Sequence, residues 1–307
     1  MSIIAIIAPL IFIVFIGFCT AKKQWLNQVQ FDGISKLTFY GFIPVYLFYH
    51  MSQADLSSQL SIKLFAAFYL PVLLCYGLGF VINYFFHRDK TSRIATSAVF
   101  GLNVSYSNNI IVGLPVLLLA IGEQSLAIIF IIVTFHSAML FGLTGAFSVS
   151  GNGFKWKEFI IQNLKNPLIL GILSGLVFNL LGFEVPAALK NSLQLFGKPA
   201  VTLALFVLGA SLATYQVTEN KRFIFVASLI KLLILPALVY CFSHILLSLP
   251  ALTTQVLVIL SSCPIGVNAY LIAKNYQHHQ ELVASSVIVS TVSSGVTIPL
   301  WLMFLNL

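Results

Sequence analysis

The sequence predicts an all-α integral membrane protein of ten transmembrane helices, built as two inverted five-helix repeats. Three observations carry that prediction. Charged residues are 8% of 307, with 16 Lys and Arg and 8 Asp and Glu, where a soluble domain carries about a quarter. Apolar residues reach 59% and the mean hydropathy is +0.99. Runs such as Ile3 to Phe18 are apolar on every side, as helices in lipid are and the alternating strands of a membrane barrel are not. This composition excludes a soluble enzyme, a secreted disulfide scaffold and a disordered chain. The net charge of +8 does not point to nucleic acid, because the basic residues sit between apolar runs rather than on one solvated face. Cys19, Cys75, Cys241 and Cys263 all fall inside apolar runs without metal-site spacing.

Ten apolar stretches follow in order. The first five are Ile3 to Thr20, Leu37 to His50, Leu64 to Phe86, Ile94 to Ile121 and Ser125 to Val149. The second five are Pro167 to Leu181, Leu193 to Leu212, Phe223 to Leu247, Thr253 to Tyr276 and Glu281 to Leu305. The expected organisation is a first repeat over 1–150, a cytoplasmic linker over 151–166 and a second repeat over 167–307. The first stretch has no basic segment before it and no small-residue cleavage site after it, so it reads as a retained helix rather than a leader.

Orientation follows from the basic residues, since basic loops stay in the cytoplasm. Loops after odd-numbered stretches hold twelve: Lys22, Lys23, Lys36, Arg88, Lys90, Arg93, Lys155, Lys157, Lys165, Lys221, Arg222 and Lys274. Loops after even-numbered stretches hold three, Lys63, Lys190 and Lys198. The expected location is the plasma (inner) membrane with both termini outside. Five spans per half is an odd number, so tandem halves enter the membrane with opposite orientation, as in many secondary transporters. An LPxL pattern in the third stretch, Leu70 to Leu73, recurs in the eighth, Leu235 to Leu238.

Two stretches carry helix breakers at matching positions of the halves. The fourth reads Ser107-Asn108-Asn109-Ile110-Ile111-Val112-Gly113-Leu114-Pro115, and the ninth Ser261-Ser262-Cys263-Pro264-Ile265-Gly266-Val267-Asn268. Proline removes a backbone hydrogen bond and clashes with the preceding turn. Ser107, Gly113, Pro115, Pro264 and Gly266 are therefore expected to interrupt the two helices where they cross. Interrupted helices in corresponding places mark a transporter binding site, because half-helix N-termini favour anions. Asn108, Asn109 and Asn268 add donors and acceptors without a charge to desolvate. Lys231 lies inside the eighth stretch, where it can attract an anion or snorkel to the interface. All eight acids fall in loops or at span ends. His136 and His244 each stand within an apolar stretch, more as helix-to-helix hydrogen bonders than as proton shuttles.

These clusters resemble the auxin efflux carrier family, which includes bacterial and yeast permeases beside the plant carriers. Asn108 to Pro115 is similar to its fourth-helix motif, and Pro264-Ile265-Gly266-Val267-Asn268-Ala269-Tyr270-Leu271-Ile272-Ala273-Lys274-Asn275-Tyr276 to its ninth-helix motif. Phe42-Ile43-Pro44, Leu208 to Leu212, and Lys231 with Pro236 add supporting matches. The resemblance implies a bile acid/sodium symporter-like fold in which helices 4 and 9 cross. Helices 1, 2, 6 and 7 would form a scaffold, and 3 to 5 with 8 to 10 a mobile bundle. It implies elevator-type transport of a small organic anion, a homodimer through the scaffold and no cofactor. It also implies that Asn108 touches the substrate. Ser107 and Ala269 stand where the plant carriers have crossover prolines, so auxin itself does not carry over. The short linker favours a bacterial permease. The expectation is thus a carrier, auxin- or malonate-like in substrate, and not an enzyme; a sodium-coupled symporter and a non-transporting receptor are the alternatives. The sequence names no coupling ion. The partners expected are a small carboxylate and membrane lipids, and no nucleic acid.

Overall fold

The computed structural model describes residues 3–54, 61–87, 89–148, 155–213 and 220–307. Among these residues the regular elements are helical, and β-type pairing is confined to an isolated bridge between Ser107 and Ile265. Six helices are long and apolar enough to cross a membrane: Ile4–Lys22, Ile62–Phe86, Glu123–Ser148, Ala187–Leu212, Lys221–Leu246 and Gln280–Phe304. Asn109–Ala120, Pro167–Leu180 and Ala251–Ser262 are apolar but shorter.

In chain order the α-helices begin with α1 (Ile3–Lys22), α2 (Gln28–Leu37), α3 (Ile43–Met51) and α4 (Ile62–Phe86). Next come α5 (Arg93–Ser105), α6 (Leu114–Ala120), α7 (Leu126–Ser148), α8 (Trp156–Leu164) and α9 (Pro167–Leu180). Then follow α10 (Ala187–Gly197), α11 (Ala200–Leu212), α12 (Lys221–Leu229) and α13 (Leu235–Tyr240). The last are α14 (Ala251–Ser262), α15 (Val267–Tyr276) and α16 (Gln280–Phe304).

Capping explains several boundaries. The second apolar stretch is expected from Leu37, yet helix begins at Gln28, because Asn27 and Gln30 form a capping box. The Gln30 N–H donates to Asn27 Oδ1 at 2.9 Å and the Asn27 N–H to Gln30 Oε1 at 2.8 Å. Asn166 likewise caps α9, its Oδ1 accepting from the Leu168 N–H at 2.9 Å, with Pro167 at the first position. The expected linker also differs from plain coil, since α8 lies within it. Ser150 to Phe154 fall outside the described residues.

The helices form two compact units, and each draws on both halves of the sequence. The first comprises Met1–Leu60, Leu114–Thr134 and Lys157–Thr214; the second comprises Ser61–Gly113, Phe135–Trp156 and Tyr215–Leu307. Within the first, α1 packs on α11 and α3 on α9. Glycine makes both approaches possible. A Cβ on Gly17 would meet the Phe206 carbonyl, one on Gly209 the Val14 carbonyl, and one on Gly171 the Pro44 carbonyl at 2.5 Å. Small residues serve this purpose where lipid supplies no hydrophobic drive between helices. Large apolar side chains such as Phe12 and Phe15 on α1 point outward, 63% and 59% exposed, as suits a surface solvated by hydrocarbon.

Three prolines explain a recurring distortion. Wide π-type turns at Thr38–Phe42, Asn109–Gly113 and Ile230–Ile234 each end two residues before a proline, Pro44, Pro115 and Pro236. A proline ring collides with the carbonyl four residues earlier and offers it no N–H. Widening the turn relieves that collision. The carbonyl of Leu232, which residue 236 would pair with in a regular helix, accepts instead from the Trp301 indole N–H at 2.9 Å. Replacing Trp301→Phe should therefore cost about 1 kcal/mol. Adding Pro236→Ala, which supplies the missing N–H, should recover part of it. Unfolding midpoints in detergent test both, and an unchanged Trp301→Phe midpoint would contradict the assignment.

At one end of the second unit a polar knot ties α4, α5 and the turn before α16. Asn83, 1% exposed, donates to Ser97 Oγ at 3.1 Å and accepts from His279 Nε2 at 3.0 Å. Burial, and then the nearby His87 and His278, push His279 down to about 4. The unfolded chain takes up this proton near the ordinary 6.5, so stability is complete above about pH 6.5 and is lost as pH falls towards about 4. The melting temperature should fall through that window, and His279→Gln, which keeps the donor, should flatten the fall. Parallel pH series of the two proteins would show it.

Candidate binding site at the helix breaks

The site grows out of a backbone problem. A break in a helix inside lipid frees N–H and C=O groups that water cannot reach, and each needs a partner from the protein. In the second unit α5 ends at Ser105 and α14 at Ser262, and Tyr106 and Cys263 are extended. The two extended segments run antiparallel and pair with each other. The Asn108 N–H donates to the Pro264 carbonyl at 2.9 Å, and the Gly266 N–H to the Tyr106 carbonyl at 3.1 Å. Helix then resumes at Asn109 and Val267.

Side chains complete the accounting. The Ser107 N–H donates to His136 Nε2 at 3.1 Å, which requires that nitrogen to be unprotonated. The Ile265 N–H donates to Ser290 Oγ at 3.1 Å. Pro264 has no N–H, so its place in the extended segment leaves nothing further to satisfy. The ammonium of Lys231, wholly buried, donates to the carbonyls of Ser261 at 2.5 Å and Cys263 at 2.6 Å. Lys231 therefore does not snorkel to an interface. It closes the C-terminal end of α14, where the helix dipole favours a cation.

Glycine permits the close crossing. A Cβ on Gly266 would meet the Tyr106 ring at 2.5 Å, and one on Gly113 would meet Leu260 at 3.0 Å and Cys263 Sγ at 3.1 Å. The Tyr106 ring stacks on His136 at 5.0 Å, and its hydroxyl bonds Ser137 at 2.9 Å.

Against this satisfied backbone several buried side-chain atoms have no partner. They are Ser107 Oγ, Asn108 Nδ2, both amide atoms of Asn109, and His136 Nδ1. Asn108 and Asn109 are 6% and 4% exposed. Unpaired buried polar groups are rare and call for an explanation, an unplaced water or ligand among them. They sit where the helix Asn109–Ala120 starts, so amide donors and the positive end of a helix dipole coincide.

The structure brings Ser107, Asn108, Asn109, Gly113, Lys231, Pro264, Gly266 and Asn268 into the second unit. Asn268 differs from Asn108 and Asn109: it is exposed, and its amide donates to the Tyr106 hydroxyl at 3.4 Å. Pro115 belongs to the first unit. There it lines a cavity of about 940 Å³ with Pro9, Tyr46, Tyr49, His50 and Glu123, all residues of the same unit. His136 proves to be a hydrogen bonder across helices, and His244 stacks on Tyr240 at 5.1 Å. Tyr106 and Ser290 were not marked by the sequence. Nothing in single-letter spacing marks which serine faces a break, although an unbroken polar run, Ser105 to Asn109, was visible.

Helices of membrane length, with paired breaks that meet beside unpaired amides, define a membrane transporter. The chain belongs to the auxin efflux carrier family, matched under the description "Membrane transport protein" over residues 2–153 and 154–302. It is 22% identical to "Putative malonate transporter" of Rhizobium meliloti (strain 1021), the match covering 97% of this chain and 94% of the relative. An uncharacterized transporter of Methanocaldococcus jannaschii is 23% identical, with 96% of each chain covered. "Auxin efflux carrier component 8" of Arabidopsis thaliana is 21% identical over 93% of this chain and 92% of its own.

The satisfied backbone and the unsatisfied amides predict a separation of stability from binding. Asn109→Ala removes two unpaired buried atoms and should leave the ligand-free melting temperature equal or higher. It should abolish ligand-induced stabilisation. A ligand-free loss of several degrees would show that the Asn109 side chain holds the fold.

Proposed function

We propose that this chain is a secondary carrier for a small carboxylate, auxin- or malonate-like in chemistry. It binds the anion at the helix breaks through Asn108, Asn109 and Asn268 and the N-terminal amides of the resumed helices. The observation that carries this reading is the set of unpaired polar atoms on Asn108 and Asn109 at the start of a half-helix. Lys231 adds positive potential through the end of α14. Family membership and the relatives named for malonate and auxin support a substrate with a carboxylate.

In this reading the ten apolar stretches all span the inner membrane as two inverted repeats, with both termini extracytoplasmic. Stretches 1, 2, 6 and 7 act as a scaffold and dimerise; stretches 3 to 5 and 8 to 10 carry the site across the membrane like an elevator. The grouping into two compact units supports the division for stretches 1, 2, 6 and 7 and for 3 and 8 to 10, whereas residues 114–134, parts of stretches 4 and 5, group with the scaffold stretches.

Uptake of labelled malonate and of monocarboxylates into proteoliposomes tests the proposal. Asn108→Ala should lower uptake about tenfold or more, the loss expected from one hydrogen bond to a charged ligand. Its backbone N–H, which holds the break, remains. Unchanged uptake by the variant would overturn the site. Ligand-induced stabilisation with no flux would instead identify a receptor.

A further inference from the structure

A cation placed at a half-helix C-terminus is a recognisable device in transporters, where unwound carbonyls and helix ends coordinate sodium. Here α14 ends at Ser262 in the second unit, and its last carbonyls converge on a charge the protein supplies itself. Lys231 Nζ lies 2.5 Å from the Ser261 carbonyl oxygen and 2.6 Å from that of Cys263. Among the described residues no carboxylate pairs with this wholly buried ammonium. The wide turn Ile230–Ile234, imposed by Pro236, carries the lysine.

We propose that Lys231 is a tethered cation: its ammonium fills the carbonyl cage at the end of α14 that a free alkali ion would otherwise occupy, making the protein independent of sodium. The charge balance supports it. The end of a helix carries about half a negative charge, and two carbonyl oxygens face the ammonium, so one positive charge is held with no acid beside it. A sodium ion in the same place would meet one full charge already present within hydrogen-bond reach of the same oxygens. The two cannot share the cage. Removing the side chain beyond Cβ leaves two carbonyls aimed at an empty, buried volume, the setting in which a small cation gains most. The binding claim stands without the carrier reading, and only its consequence for flux rests on it.

The test is the thermal stability of the purified protein without any carboxylate, in sodium, potassium, methylammonium or N-methylglucamine chloride at equal ionic strength. For the wild type the sodium and N-methylglucamine midpoints should agree within about 1 °C, the scatter of such melts against the shifts mass action produces. Lys231→Ala should melt lower, and sodium or methylammonium should raise it by about 3 °C, the shift expected near tenfold saturation. Lys231→Gln, which keeps a neutral donor to the carbonyls, provides a second variant if the alanine form does not fold. It should melt above Lys231→Ala or survive purification where that form fails, and respond less to sodium. Sodium-specific stabilisation of the wild type would overturn the proposal. So would a Lys231→Ala protein indifferent to every small cation, which would make the lysine a helix cap and nothing more. These melts read the cage alone, whereas absence of carboxylate uptake by the wild type would count against the carrier and leave the cage result standing.

Discussion

The crossover depends on one constraint, that backbone polar groups removed from water must be paired inside the protein. Two interrupted helices each expose such groups, and neither break is tolerable alone. Laid antiparallel, Tyr106 to Asn108 and Cys263 to Gly266 satisfy each other through two main-chain hydrogen bonds. Each break is thus the other's partner, and the rest of the second unit is arranged around keeping them in register. Gly113 and Gly266 let the chains approach, while His136 and Ser290 take the two N–H groups that the pairing leaves over.

Lys231 and Trp301 extend the same logic away from the pairing. A proline relieves its clash by widening the turn before it, and the carbonyl it abandons must be met from another helix, as Trp301 meets Leu232. The widened turn also carries Lys231 to the end of α14. One proline thereby links a local steric conflict to the placement of the single lysine inside the eighth stretch. A charge that looked like an anion attractor in the sequence is already engaged by carbonyls. In the proposed carrier its influence on a bound anion acts through the helix end it neutralises.

Much of this was legible in the sequence because membranes simplify the code. The apolar stretches, the helix breaks at Asn108 and Pro264 and the family resemblance all follow from residue type and spacing. The boundaries that moved did so for local reasons: Gln28 starts a helix because Asn27 and Gln30 cap it, a polar pattern masked by the search for apolar runs. The direction of Asn268 was not legible either. The sequence groups it with Asn108 and Asn109 as an amide at the breaks, but it is exposed while Asn108 is buried. Which atoms remain unpaired is a property of three dimensions, set by packing partners such as Ser290 that lie far off in sequence.

The division between paired backbone and unpaired side chains is what permits a binding site at so constrained a place. Had the Asn108 side chain been needed to close the break, a ligand could engage it only by opening the crossover. Instead its backbone N–H holds Pro264, and its amide nitrogen is left over. Asn109 goes further, its backbone N–H bonded to Ser107 and both amide atoms unpaired. Structural work is assigned to the main chain, which leaves these side chains free for the recognition role proposed above. In the carrier proposed above, an anion arriving at these amides adds hydrogen bonds without taking any from the fold, and the unpaired amides, costly while empty, favour its arrival.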